Sequence, residues 1–256
     1  MGAMKELLFL SQEERQPIET CQECGHPKRG GYCYYCGTGK RPRKSAAKRL
    51  EDEARALTIW REAVPLTGTL AERYLRHHRK INVSPPSDAL RFHPRCPFDF
   101  RQRVPAMVAL LTNSDGQPCG VHRTPLTPDG AKAGSARAYG TFWRTAIRLW
   151  PSPVEGRLAV GEGIETTLSA VELKPDLAPA WAAGTAENLG MFPILDSVKE
   201  LFVLADNDSD ESGRIGQKRA KKLAGRYSAW GARATILTPK IDKDFNDVLR
   251  GVTSHD

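Results

Sequence analysis

The chain has 256 residues, 40% of them hydrophobic, and a formal net charge of +8. Such a length supports one large domain or two moderate ones with an appendage, and the second arrangement is expected. No run approaches the roughly 18 apolar residues of a membrane span, and acids follow the short LLFL stretch at 7–10, so a cytoplasmic chain with no leader and no membrane partner is expected. The charge is unevenly spread: residues 1–60 carry +3, residues 61–150 carry +8 and residues 151–256 carry −3. A basic half suited to a polyanion therefore precedes an acidic half suited to metal ions.

The first element is CQECGHPKRGGYCYYCG, in which Cys21, Cys24, Cys33 and Cys36 form two CxxC pairs. Two such knuckles close a tetrahedral thiolate site for Zn2+, and in so short a segment metal binding would supply most of the folding free energy. A redox use of either pair needs a helix N-terminus in a βαβ context, which the segment lacks. Residues 1–39 are thus expected to be a zinc-binding module. Tyr32, Tyr34 and Tyr35 beside Lys28 and Arg29 suit either packing over the metal or stacking of single-stranded bases. Cys96 and Cys119 remain as single, buried thiols. A basic linker, 40–54, follows with Lys40, Arg41, Arg43, Lys44, Lys48 and Arg49.

Residues 55–150 read as a basic α+β domain. Ala56, Ile59, Trp60 and Ala63 share a helical face, and Leu70, Tyr74 and Leu75 repeat the pattern. RVPAMVALLTNSDGQPCGVHRTPL then reads as a β-hairpin or meander turning at 114–116. Guanidinium groups match phosphate oxygens, and Arg123 and Lys132, on either side of TPLTPDGA, are the expected nucleotide contacts. His93 and His122 lack metal-ligand spacing and read as packing residues.

From 151 to 256 strands alternate with helices: RLAVGEG, PAWAAGT, KELFVLADND and RATILTP are strands, and a long helix covers 214–229. That order implies an α/β fold, a parallel sheet with helices on both faces and ligands at the carboxyl ends of its strands. Glu162 ends one strand, and Asp206 and Asp208 end another. If those strands are neighbours, three carboxylates converge, and clustered carboxylates repel unless a cation joins them; Mg2+ or Mn2+ prefers such oxygen ligands. Arg214, Lys218, Lys222 and Arg226 recur every four residues as a basic stripe, either solvated or tracking DNA, with Lys218 and Lys222 as the candidate contacts.

AVGEGIETTLSA, AWAAGT, LFVLADND and DFNDVL, in this order, resemble the Toprim domain of primases, topoisomerases and some nucleases, most closely that of phage and plasmid primases. WREAVPLTGTLAERYLRHHRKI, LRFHPRCPF and PAMVALLTNSDGQPCGVHRTPL resemble the segment preceding Toprim in such proteins, and the cysteine module resembles their zinc-binding domain. The resemblance implies that Glu162 is the family's glutamate and that Asp206 and Asp208 are its Asp-x-Asp metal ligands, with Asp247 a possible further acid. It implies a DNA primase that uses single-stranded DNA template and NTPs. A Toprim nuclease, or a non-catalytic single-stranded DNA-binding accessory, is the alternative. Two departures stand out. The glycine expected soon after Asp-x-Asp arrives only at Gly213, and no GxxxxGK[ST] phosphate loop is present, so a replicative helicase is expected to be a separate polypeptide.

Overall fold

A computed structural model describes residues 20, 22, 28–29, 32–33, 45–99, 102–207, 211–239 and 244–252. The expected zinc ligands Cys21, Cys24 and Cys36 and the expected metal ligand Asp208 lie outside the described residues, as do Tyr34 and Tyr35. The chain divides into two compact units, Met1–Lys48 and Arg49–Asp256. In the first, β1 (Lys28–Arg29) and β2 (Tyr32–Cys33) pair antiparallel, Lys28 opposite Cys33.

Helix α1 (Ala46–Glu62) runs from the end of the first unit into the second, where its apolar face buries Ala56 and Ile59. A short β3 (Val64–Pro65) leads to α2 (Leu70–Arg73), which continues into a π-helical turn, Tyr74–His78. Widening the turn lets the Arg79 N–H bond to the Tyr74 carbonyl at 3.0 Å and carries the Tyr74 ring into full burial. Then come β4 (Leu90–Pro97), β5 (Arg103–Thr112), β6 (Pro118–Pro125) and β7 (Arg137–Gly140), which with β3 form a five-stranded sheet of order β3-β4-β5-β6-β7. All of its pairings are antiparallel. The expected hairpin is β5–β6, closed by Asn113, whose Oδ1 accepts from the backbone N–H groups of Asp115 at 3.0 Å and Gln117 at 2.9 Å.

Alternation along β5 explains its unbroken apolar run. Ala106 and Val108 face α1, while Met107, Ala109 and Leu111 face Tyr74, Leu75 and Ile81, so both faces of the sheet are covered. Cys96 and Cys119 are free and buried, and burial pushes both thiols up to about 11. A thiolate is the reactive form. Peptide mapping after iodoacetamide treatment at pH 8 is therefore expected to find these two unmodified in native protein and modified after denaturation; modification of native Cys119 at the denatured rate would contradict the burial.

The remaining elements are β8 (Arg157–Gly161), α3 (Ile164–Leu173), a 3-10 turn at Pro175–Leu177, β9 (Ala180–Ala182), α4 (Ala186–Met191), β10 (Glu200–Leu204), α5 (Glu211–Ala229), β11 (Arg233–Leu237) and α6 (Phe245–Arg250). Their sheet has order β11-β10-β8-β9 and is parallel throughout. Leu158, Val160, Leu201 and Val203 pack under Leu189 of α4 and Ala220, Leu223 and Tyr227 of α5. On the opposite face Ala159, Ala180 and Leu204 meet Ala170 and Val171 of α3. The fold is thus the expected α/β class with helices on both faces of a parallel sheet. Ile147 and Ala182 exchange backbone hydrogen bonds of 2.8 and 3.0 Å, tying the stretch after β7 to edge strand β9. Among the described residues no helix is long and apolar enough to cross a membrane.

Candidate functional site

In a parallel sheet flanked by helices, the strands' carboxyl ends form the crevice where ligands collect. β8 and β10 are direct neighbours, with Gly161 opposite Leu204, so the chains that leave them carry Glu162 and Asp206 from adjacent strand ends. Neighbouring strands lie about 4.8 Å apart. The turn from β8 into α3 is tight: a Cβ on Gly161 would stand 2.3 Å from Thr167 Oγ1, which is why glycine precedes the glutamate. The first turn of α3 reaches across to β10, where Thr166 Oγ1 donates to Asp206 Oδ1 at 3.2 Å. Helix α5 covers the other side, and a Cβ on Gly216 would stand 3.1 Å from Glu162 Oε2. Among the described glycines of α5, Gly216 is the one that meets Glu162.

Two carboxylates with a neighbouring hydroxyl form a hard oxygen donor set of the kind Mg2+ and Mn2+ accept. Among the described residues no three His, Cys, Asp or Glu side chains form a group able to hold a metal ion. Asp247 lies in the first turn of α6, its carboxylate 3.6 Å from Arg250 Nη1 and its N–H donating to the capping Asp244 Oδ1 at 2.7 Å. Helix α6 packs on α3, the helix that follows Glu162.

A polar network adjoins the acids. Glu165 Oε1 accepts from Tyr74 at 2.7 Å, the Tyr74 oxygen accepts from Arg79 Nε at 3.0 Å, and Arg79 Nη1 donates to Asn246 Oδ1 at 3.2 Å. Asn246 Nδ2 closes the set on the Arg79 carbonyl at 2.7 Å and Ser169 Oγ at 2.9 Å. Burial alone would raise the Glu165 carboxyl, but the Lys132 charge, the Tyr74 hydroxyl and Arg79 overturn that and hold it below its usual range. His122 is buried, which pushes it down to about 4 and leaves it neutral at physiological pH.

The expected basic contacts divide. Lys132 is exposed, pairs with Leu126 in an isolated antiparallel bridge, and its charge acts on Glu165. Arg123 turns inward. It is 6% exposed, its Nη1 donates to the Pro97 carbonyl, and its guanidinium lies 5.4 Å from the Phe98 ring centroid and 5.3 Å from that of Tyr139. Those aromatic faces and that carbonyl offer the guanidinium an interior seat, which removes Arg123 from the surface where a nucleotide could meet it. On α5, Lys218 and Lys222 are exposed, as is Lys221, whereas Arg226 bonds back to the Phe192 carbonyl at 2.8 Å and belongs to the packing of α4. Thr166, Gly216 and the Tyr74–Glu165–Asn246 network carry no signal in sequence spacing. They become visible only when α3, α5 and α6 surround the strand ends.

Residues 157–254 match the family described as "Toprim domain", and residues 51–149 match one described as "Domain of unknown function (DUF7146)". No curated protein matches the chain. Among solved structures, the E. coli primase catalytic core superposes with a TM-score of 0.51 at 14% identity, over 81% of this chain and 77% of that one. The DnaG primase catalytic domain bound to ssDNA gives 0.53 at 13% identity, over 82% and 80%. The primase fragment of the bacteriophage T7 primase-helicase protein gives 0.43 at 19% identity; the chain spans 63% of that fragment, and 63% of this chain is covered. The parallel sheet at 157–254 is a Toprim domain, and the chain has the fold of a primase catalytic core.

Proposed function

We propose that the protein is a DNA primase that synthesises short RNA primers on single-stranded DNA by metal-dependent nucleotidyl transfer. The observation that carries this reading is the placement of Glu162 and Asp206 at adjacent carboxyl ends of β8 and β10, in a Toprim domain. With Asp208 they would hold Mg2+ or Mn2+, which when bound lowers the charge of the incoming triphosphate and activates a primer hydroxyl for in-line attack. Glu162 and Asp206 do the binding, and Thr166 holds one carboxylate in place. Lys132, exposed and acting on Glu165 by its charge, would meet the triphosphate. Cys21, Cys24, Cys33 and Cys36 would hold a structural Zn2+ in a module that engages template. A helicase would open the duplex ahead of it. The DnaG domain that shares the fold was captured on ssDNA, the partner assigned here.

The test incubates the full chain with single-stranded DNA, MgCl2 and labelled NTPs. Short RNA products are expected. Shortened DNA without RNA would identify a nuclease, and binding with neither product an accessory protein.

Lys218 and Lys222 are assigned to the DNA backbone. Each phosphate contact to a single strand contributes about 0.7 to the slope of log K against log salt. The double Lys218→Ala, Lys222→Ala variant is expected to bind oligo(dT) with a slope shallower by about 1.4 in fluorescence anisotropy. An unchanged slope returns both lysines to solvent.

A further inference from the structure

Like charges at neighbouring strand ends push apart, so a carboxylate pair keeps a useful geometry only if its surroundings fix it. Asp206 is fixed by the Thr166 hydroxyl, from a side chain that is 5% exposed. Glu162 is seated differently, against a gap in a helix. Glycine inside a helix is disfavoured relative to alanine because it frees the unfolded chain, so a buried helical glycine calls for a reason of space. Helix α5 contains its own comparison. A Cβ at Gly225 would meet nothing within 4 Å, whereas a Cβ at Gly216 would meet Glu162 Oε2 at 3.1 Å and, among the described residues outside its own stretch of helix, nothing else within 4 Å. The recess at Gly216 is fitted to one carboxylate oxygen.

We propose that Gly216 and Thr166 are positioning residues for the acidic site: Gly216 seats Glu162, Thr166 orients Asp206, and together they set the spacing at which the pair takes a divalent cation. The proposal rests on the metal-binding reading above. An added methyl at Gly216 displaces a flexible carboxylate at little cost to the helix, yet moves a metal-binding oxygen by several tenths of an ångström. Removing the Thr166 hydroxyl removes a hydrogen bond that orients Asp206. Changing partners that orient metal ligands typically weakens metal affinity about 10- to 100-fold.

The experiment uses the full chain, Mn2+ titration by calorimetry and thermal melting, with Glu162→Gln defining binding that does not involve the site. Gly216→Ala is expected to bind Mn2+ at least tenfold more weakly while melting no lower than wild type. Gly225→Ala is expected to raise the melting temperature and leave Mn2+ affinity alone. Thr166→Val is expected to lose about tenfold in affinity, and Thr166→Ser to recover it. Wild-type affinity in Gly216→Ala, or in Thr166→Val, overturns the role of that residue. Melting tests the seat without metal: Gly216→Ala should raise the melting temperature more in a Glu162→Ala background, where the recess is vacated, than in wild type. Equal gains in the two backgrounds overturn the seat. If wild type shows no Mn2+ binding sensitive to Glu162→Gln, the metal-binding reading fails, and the melting comparison still decides whether Gly216 seats Glu162.

Discussion

Glu162→Gln is expected to lower primer synthesis by on the order of a hundred- to a thousandfold, with single-stranded DNA binding unchanged. Glutamine keeps the volume that fills the recess at Gly216 and the backbone bond from the Gly184 N–H to the Glu162 carbonyl at 2.7 Å, so the fold has no reason to respond. What is lost is one full negative charge beside Asp206. With metal the variant should melt below wild type, because a ligand that binds only the native state stabilises wild type and leaves the variant behind. Melting curves with and without MgCl2 thus separate loss of charge from loss of fold, and a primase assay separates both from loss of template. A variant that primes at the wild-type rate would remove Glu162 from the chemistry altogether.

Much of the architecture could be read from periodicity. Strand β8, strand β10 and the β5–β6 hairpin each bury a continuous or alternating apolar set, and each is closed by residues with local turn or helix-start chemistry. Strand order is another matter. That β8 lies beside β10, with the intervening β9 displaced to the edge, depends on crossover packing and not on either segment alone. The acids at 162 and 206 could therefore be named from the sequence, but their adjacency was conditional on that order. Arg123 shows the converse limit. An arginine in a basic stretch reads as a surface cation, yet Phe98 and Tyr139 arrive from other strands to enclose it. The Glu165 network was illegible for the same reason: Tyr74 and Glu165 are 91 residues apart, and Arg79 and Asn246 are 167 apart.

Asn246→Ala should be the most destabilising single change in that network. Asn246 is 0% exposed and uses both ends of its amide: Oδ1 accepts from Arg79, and Nδ2 donates to the Arg79 carbonyl and Ser169 Oγ. Alanine leaves buried groups without partners, at about 1–3 kcal/mol apiece, so a loss of about 2–4 kcal/mol is expected. In a unit of this size that corresponds to a fall of roughly 5–15 °C in melting temperature. Glu165→Gln removes charge from the same network but keeps an oxygen for the Tyr74 hydroxyl, and its signature is in the pH dependence. Lys132, Tyr74 and Arg79 hold the Glu165 carboxyl below its ordinary 4.5, so its contribution is fully present above that value and disappears as pH falls through the lower, folded one. Asp244 acts in the opposite sense: burial raises its carboxyl, so its contribution is present at low pH and is lost as pH rises through the raised value. Wild type should therefore lose stability below pH 4.5 more steeply than Glu165→Gln, and Asp244→Asn should steepen that acid limb further. Because Glu165 and Asn246 share Arg79 as a neighbour, the double variant should lose less than the two single losses combined. Full additivity in urea melts at pH 7 would show that the chain from Tyr74 to Asn246 does not act as one unit.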